Sequence, residues 1–371
     1  MKLKLLVLTI ALFVSTFSQF LLSKTITWEK NIIDDNVLVL GNLAIGNPYI
    51  EIFPTSQNYL YCSDVDSHLI EYRYENNQWI KDTVVMGRGF QRIVIGDGRN
   101  DAHERIYAFR FEKLYEIWYE NFSWHENLIL EMPDNCIRGI VIGESKNDDT
   151  NRIYLTAGYG KIFELTFTGP GHSDWQIEII NQDMYCQTIG QGRNDGVNRI
   201  YGFGGDCNRT IYELTYNSVG KIWEREEVFT YVTDIIDIPC GGLKIGKARN
   251  NDDLNRLYWF DVYNYINETT WNGISWDNQL VRTIMPNPPG DNYYAPFIFN
   301  IININKMFFV HRSGFIYYFV NDNNWNRYCV GEVIDPILGI IPLVYGNVRN
   351  KDALYAASLG NRIIEFYPHN Q

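Results

Sequence analysis

Residues 190–201 read GQGRNDGVNRIY, residues 96–107 read GDGRNDAHERIY, and residues 143–154 read GESKNDDTNRIY. Each of these phrases begins at the glycine that ends one short apolar run. The phrase ends where a second apolar run starts. The opening glycine recurs about every 50 residues, at Gly46, Gly96, Gly143, Gly190 and Gly246, and again at Gly346. A fixed period of this length indicates that each period is one supersecondary unit of a repeat protein.

Each period contains four segments with the alternating apolar pattern of β-strands. In the second period they are RIVIG (92–96), RIYAF (105–109), KLYEIWY (113–119) and the Trp-led SWHENLIL (123–130). Gly and Asn separate the segments, and Tyr, Ile and Val favour a pleated surface. Four strands in a period of about 50 residues are typical of an all-β propeller with one four-stranded blade per period.

The two ends of the chain set the number of blades. The interval from Gly246 to Gly346 is 346 − 246 = 100 residues, which leaves room for two units, and the second of these opens at residues 296–310. The last unit stops after its third strand, RIIEFYP (362–368), whereas KTITWEKNII (24–33) matches the Trp-led fourth strands of the other units. We therefore predict a single seven-bladed domain over residues 24–371, with the N-terminal strand 24–33 completing the last blade and closing the ring.

The N-terminus indicates an exported protein. Residues 1–23 begin with two lysines followed by a mainly apolar run, which is the pattern of a secretory signal peptide. An uncleaved anchor is the alternative, because residues 5–22 are nearly long enough to span a bilayer. We expect a secreted or extracytoplasmic protein with no membrane span after cleavage. The net charge of −12 and the lack of any Lys/Arg-rich run argue against nucleic acid as a partner.

The six cysteines follow no zinc-binding spacing. In an exported chain, one or two disulfides such as Cys186–Cys207 or Cys186–Cys240 are expected, and buried free thiols are the alternative.

The repeated phrase resembles the FG-GAP repeat of integrin-α-type propellers, and that resemblance implies calcium-binding loops with alternate Asp or Asn ligands and a closing Asp. Here Arg99, Lys146 and Arg193 stand at the third position, and arginine again replaces the closing acid at Arg105, Arg152 and Arg199. Calcium needs several hard oxygen ligands, whereas a guanidinium can pair with Asp through two bonds and also bond backbone carbonyls. We therefore predict loops without metal or cofactor, held by arginine paired with Asp101, Asp148 and Asp195.

One tryptophan per blade begins the outermost strand: Trp28, Trp79, Trp124, Trp175, Trp223, Trp276 and Trp325. This series is similar to that of tectonin- and tachylectin-type lectin propellers, which implies blade-related sugar sites. The alternative is that each indole packs against the adjacent blade and buries a large apolar area, and this interpretation is favoured.

The irregular loops predict the ligand site. In a propeller, the loops from an outermost strand to the next innermost strand, with the turns between second and third strands, surround one mouth of the channel. The irregular segments of that face are 204–210, 230–242, 260–265 and 282–297, and breaks in a repeat are where function tends to lie. We predict an aromatic and acidic patch for carbohydrate or peptide, formed by Asp261, Tyr263, Asp291, Tyr293 and Tyr294.

Catalytic motifs are lacking in the sequence. It contains no sialidase-type Asp box, no nucleophile elbow and no Gly-rich phosphate loop before a helix, and its six histidines are scattered. The leading hypothesis is an exported binding propeller that recognises carbohydrate or a protein partner. The alternative is an enzyme, a hydrolase or quinone-dependent dehydrogenase, with its site at the channel mouth.

Overall fold

The computed structural model describes residues 27–50, 57–132, 136–204, 210–230, 241–249, 252–260, 266–282, 297–301, 304–310, 315–321, 325–332, 343–349, 351–358 and 361–369. These ranges contain seven antiparallel sheets of four strands each, so the predicted seven-bladed propeller is confirmed. Within these ranges, no helix is long and apolar enough to cross a membrane.

The described chain starts with β1 (Thr27–Asp34) and then forms its blades in order. Blade 1 contains β2 (Val39–Gly46), β3 (Tyr59–Asp64), β4 (Leu69–Glu75) and β5 (Gln78–Val85). Blade 2 contains β6 (Arg92–Gly96), β7 (Arg105–Arg110), β8 (Lys113–Glu120) and β9 (Ser123–Glu131). Blade 3 contains β10 (Ile137–Gly143), β11 (Arg152–Ala157), β12 (Lys161–Phe167) and β13 (Trp175–Asn181).

The remaining blades repeat the same order from the channel outward. Blade 4 contains β14 (Met184–Gly190), β15 (Arg199–Gly204), β16 (Thr210–Asn217) and β17 (Ile222–Thr230). Blade 5 contains β18 (Gly241–Gly246), β19 (Arg256–Phe260), β20 (Ile266–Trp271) and β21 (Trp276–Arg282). Blade 6 contains β22 (Phe297–Ile301), β23 (Ile304–Val310), β24 (Phe315–Asn321) and β25 (Trp325–Glu332). Blade 7 contains β26 (Leu343–Asn347), β27 (Asp352–Ser358), β28 (Arg362–His369) and, outermost, β1.

Strand β1 closes the ring, as the sequence predicts. It pairs antiparallel with β28, with Trp28 opposite Pro368 and Ile32 opposite Ile364. The sheet order β1-β28-β27-β26 therefore joins the N-terminal strand to the last three strands of the chain. This closure leaves blade 7 with the same four strands as every other blade and ties the two ends of the domain together.

The hydrophobic core lies between neighbouring blades, and the tryptophan series forms part of it. Six indoles lie edge-on against the second-strand tyrosine of the preceding blade, with ring centroids 6.2 or 6.3 Å apart; the pairs are Trp79–Tyr355, Trp124–Tyr61, Trp175–Tyr107, Trp223–Tyr154, Trp276–Tyr201 and Trp325–Tyr258. Trp28 contacts Phe308 in the same way at 5.9 Å. The prediction that these indoles pack against the adjacent blade is confirmed.

The packing of the innermost strands explains the glycine that opens each phrase. A β-carbon added at Gly190 would lie 3.1 Å from Ile245 of the next blade, and one added at Gly346 would lie 2.8 Å from Ile45. Gly96 and Gly143 face Ile142 and Ile189 in the same relation. Because the innermost strands converge on the channel, a side chain at this position would displace the isoleucine of the neighbouring blade.

Candidate functional site

The phrase loops carry the predicted arginine–aspartate pairs. Arg105 donates from Nη1 and Nη2 to the two carboxylate oxygens of Asp101, at 2.8 and 2.6 Å, and from Nη1 to the carbonyl of His103 at 3.2 Å. The arrangement recurs for Arg152–Asp148, Arg199–Asp195 and Arg256–Asp252. The guanidinium hydrogen bond lowers the pKa of Asp148, Asp195 and Asp252. Arginine–aspartate pairs therefore hold these four loops, as the sequence predicts for three of them.

The first arginine of each phrase has a partner that the sequence analysis missed. Arg99 pairs through both Nε, at 2.7 Å, and Nη2 with Glu116 of β8, a side chain that is completely buried. The hydroxyl of Tyr107 donates to the same carboxylate at 3.1 Å. Equivalent buried glutamates pair with the loop cation in other blades: Glu164 with Lys146, Glu213 with Arg193, Glu268 with Arg249 and Glu365 with Arg349. A glutamate at the same place in six of the seven apolar third strands was the available signal.

The same cations reach the next blade. Arg99 lies over the ring of Phe167 at 4.6 Å, and Arg193 lies over Trp271 at 4.2 Å. Asn100 accepts a hydrogen bond from the backbone N–H of Asn151 at 2.6 Å and donates to its carbonyl at 3.0 Å. We call each set of loop cation, buried glutamate, tyrosine and next-blade aromatic an interblade cluster. Its charged groups pair with one another, which gives the phrase a structural role.

Two blades show how this cluster can vary. In blade 1 the hydroxyl of Tyr49 donates to Glu71 at 2.8 Å, and its ring lies 4.6 Å from that of Tyr119 in blade 2. In blade 6, Phe308 of the second strand lies opposite Tyr318 of the third strand. The other blades have tyrosine and glutamate at these two positions. The charged cluster is therefore replaceable by an aromatic one, as expected if its purpose is to join blades.

The five residues predicted to bind ligand, Asp261, Tyr263, Asp291, Tyr293 and Tyr294, lie outside the described residues. Cys207 and Cys240, the suggested disulfide partners of Cys186, also lie outside them, as does the signal segment 1–23. Cys186 is a buried free thiol whose pKa is raised to about 12 by burial. The part of the chain that the structure describes holds no group of three His, Cys, Asp or Glu side chains arranged to bind a metal.

The face opposite the phrase loops forms a continuous surface around the channel mouth. We call it the mouth face, and its described segments include 64–68, 85–92, 110–113, 136–138, 157–161 and 181–184. Backbone N–H groups link each segment to the next. The N–H of Phe111 donates to the Gln91 side chain at 2.9 Å. The other four bonds run to backbone carbonyls: Arg88 to Ser67 (2.5 Å), Ile137 to Phe111 (2.7 Å), Gly158 to Cys136 (3.0 Å) and Met184 to Gly160 (2.9 Å). The mouth face of blades 1 to 4 is thereby held as one surface.

Aromatic and apolar side chains project from this surface beside arginines. Met86 is 75% exposed, Phe111 50% and Tyr159 93%. Arg110 lies over the ring of Phe111 at 5.7 Å, and the Nε of Arg138 donates to the carbonyl of Gly158 at 3.2 Å.

The other face exposes apolar side chains in a different way. Phe122, Val219 and Ile274 are 80%, 94% and 89% exposed, but they lie in separate hairpins, each of which joins the third and fourth strands of its own blade. Isolated exposed side chains of this kind are ordinary, whereas neighbouring ones on a hydrogen-bonded surface suit a ligand.

Comparison with known proteins shows likeness in fold. The chain is similar to BBS1N in its crystal structure with ARL6DN, at 13% identity over 93% of this chain and 98% of that one, with a TM-score of 0.63. It is also similar to the BP39L lectin from Burkholderia pseudomallei, at 12% identity over 89% and 96% of the two chains, with a TM-score of 0.58. No protein-family model and no curated protein sequence matches the chain.

Proposed function

We propose that this chain is an exported binding propeller that recognises carbohydrate on its mouth face. The observation that carries the proposal is that Tyr159 of blade 3 and Phe111 of blade 2 expose their rings on the same hydrogen-bonded face, which also bears arginine donors. An aromatic face can stack on the apolar face of a sugar, and guanidinium groups can donate to its hydroxyls. The likeness in fold to the BP39L lectin supports the same ligand class.

The proposal places the site at the mouth face rather than in the interblade clusters. Glu116, Glu213 and Glu268 are completely buried, and the loop cations already pair with them. A sugar would have to displace these ion pairs from a dry environment, and breaking a buried pair costs about 3–5 kcal/mol. The mouth-face side chains require no such rearrangement.

A protein partner is the second candidate, and a specific observation favours it. Met86, Phe111 and Tyr159 together with Arg88 and Arg110 have the residue types enriched in protein interfaces. BBS1N, which has a similar fold, was crystallised in a complex with ARL6DN.

Glycan-array binding of the purified full chain tests the carbohydrate proposal. We expect a defined set of glycans to bind, and Tyr159→Ala and Phe111→Ala each to weaken that binding at least about tenfold, as for loss of an anchoring aromatic contact. Ile274→Ala removes a similarly exposed side chain from the other face and serves as the matched control. Absence of any bound glycan, or equal loss in Ile274→Ala, would contradict the proposal and leave the protein-partner candidate.

Export is tested separately. We expect the secreted protein to begin near Lys24, because cleavage there removes the apolar segment and leaves β1 (Thr27–Asp34) whole. N-terminal sequencing of protein recovered outside the cell decides this, and an intact Met1 would favour the uncleaved anchor.

A further inference from the structure

The strands that line the channel have an unusual charge. The seven innermost strands, β2, β6, β10, β14, β18, β22 and β26, contain no Asp or Glu, and their charged residues are Arg92, Arg138 and Lys244. The whole chain has a net charge of −12. Cationic residues are therefore collected at the channel wall of an acidic protein, where a low-dielectric surround concentrates their field.

One of these cations interrupts the apolar repeat. Lys244 lies opposite Tyr258, at the register position that Val94, Val141, Thr188 and Val344 occupy opposite the tyrosines of their own blades. A departure from an otherwise consistent pattern is expected at functional positions, because the repeat itself gains nothing from it.

The side chains of Arg92 and Lys244 converge within the channel. The Nη1 atom of Arg92 lies 3.9 Å from the position that a β-carbon would take at Gly139. Lys244 is close enough to Arg92 and to Cys186 for both to perturb it electrostatically. These four residues belong to the innermost strands of blades 2, 3, 4 and 5, and the channel is the space that all four strands border.

The environment of this pair is costly for the charges. Arg92 is exposed and Lys244 is half-buried. Partial desolvation within the ring lowers the pKa of both, and the neighbouring Arg92 lowers the pKa of Lys244 further. Within the described ranges, no carboxylate forms a hydrogen bond or ion pair with either side chain. Two like charges without a counter-charge repel each other, and an anion placed between them relieves that repulsion.

We propose that the channel binds an anionic group, a carboxylate, sulfate or phosphate, held between Arg92 and Lys244 and entering from the mouth face. Arg92 begins β6, directly after the mouth-face loop, so its guanidinium lies at that end of the channel. The guanidinium fork suits two oxygens of one anion, and the ammonium adds a point charge from the far wall. Free inorganic anions and the acid group of an acidic sugar share this chemistry. The site does not depend on whether neutral carbohydrate binds the mouth face.

Thermal unfolding of the full chain, with isothermal titration calorimetry, tests the site. Millimolar sulfate, phosphate and glucuronate are compared at constant ionic strength, with glucose as the neutral control. At least one of the anions is expected to raise the Tm by mass action, and glucose is not. Stabilisation by sulfate or phosphate alone identifies a free anion as the ligand, whereas tighter binding of glucuronate identifies an acidic sugar.

Variants assign the effect to the channel. Arg92→Met and Lys244→Met should each weaken anion binding at least about tenfold, as for loss of a charge-assisted hydrogen bond. Lys221→Met removes an exposed cation from a hairpin on the other face and should leave anion binding unchanged, whereas Lys244→Arg should retain most of it. The proposal is overturned if no anion changes the wild-type Tm, or if Arg92→Met and Lys244→Met respond to anions as the wild type does. Circular dichroism confirms that each variant is folded before its response is read.

Discussion

The arginines of the phrase loops and the cations of the channel wall have opposite environments in the same molecule. Arg105 has a side chain only 5% exposed, forms two bonds to Asp101 and lies 3.6 Å from Glu116. Arg92 and Lys244 have no carboxylate partner within the described residues. Buried cations that the protein itself neutralises hold blades together, whereas cations left without a counter-charge are available to a ligand. The repeat thus accounts for the fold, and the departures from it indicate the binding site.

Removing the closing strand should have the largest effect, because it breaks the cluster of blade 7 and the ring at once. Deletion of residues 27–34 removes the contact of Trp28 with Phe308 and the bond from Asn31 to Glu365, and it exposes the edge of β28. We expect loss of cooperative thermal unfolding and aggregation, measured by circular dichroism and size-exclusion chromatography. Deletion of residues 1–23 is the control and should leave the Tm unchanged. A cooperative transition at the wild-type Tm would contradict the role of β1.

Neutralising a buried glutamate should have the next largest effect on stability. Glu116→Gln leaves Arg99 without its anion in a buried site and removes the second carboxylate beside Arg105, so we expect the free energy of unfolding to fall by about 3–5 kcal/mol. Arg92→Met is the matched substitution in the channel. It should change stability by less than about 1 kcal/mol or raise it, because it removes a charge that has no partner. Urea denaturation measures both. Equal losses in the two variants would erase the distinction between the two sets of cations.

We expect the loop aspartates to make a smaller, pH-dependent contribution to the free energy of unfolding. The pKa of Asp195 is lowered by its hydrogen bond to Arg199, so its stabilising effect is present above the unfolded value of about 3.9 and is lost as the pH falls below it. Because this side chain is 41% exposed, solvent screening limits the effect to less than about 1 kcal/mol. Asp195→Asn should be less stable than the wild type at pH 7, and the difference should disappear as the pH falls through the lowered pKa of Asp195. A difference that persists at low pH would show that the pair does not act through charge.

Adding or removing metal ions should have the smallest effect on the Tm. Since guanidinium groups already occupy the loop positions that calcium would need, chelator should leave the Tm unchanged. Added calcium should not raise it either. A large gain in Tm on adding calcium, absent in Asp101→Asn, would mean that an ion can displace Arg105.

The sequence predicted much of this arrangement because the repeat exposes it. Arginine and aspartate lie four residues apart in one loop, so their pairing needs no knowledge of the rest of the fold. The sequence did not predict the role of Glu116, because its partner Arg99 lies in the loop between β6 and β7 whereas Glu116 lies in β8. A single acidic residue in an apolar strand is expected to face solvent until the strand register is known. The five predicted ligand residues remain a prediction, since they lie outside the described residues.

Periodicity, the opening glycines and the strand borrowed from the N-terminus were sufficient to determine a seven-bladed ring from the sequence alone. The first two signals recur at a nearly constant spacing along the chain, and the third is legible because residues 24–33 match the Trp-led strands of the other units. The convergence of Arg92 and Lys244 was decided only by the tertiary structure. These two residues are 244 − 92 = 152 positions apart, occupy different register positions and meet only because the ring brings its innermost strands around one channel.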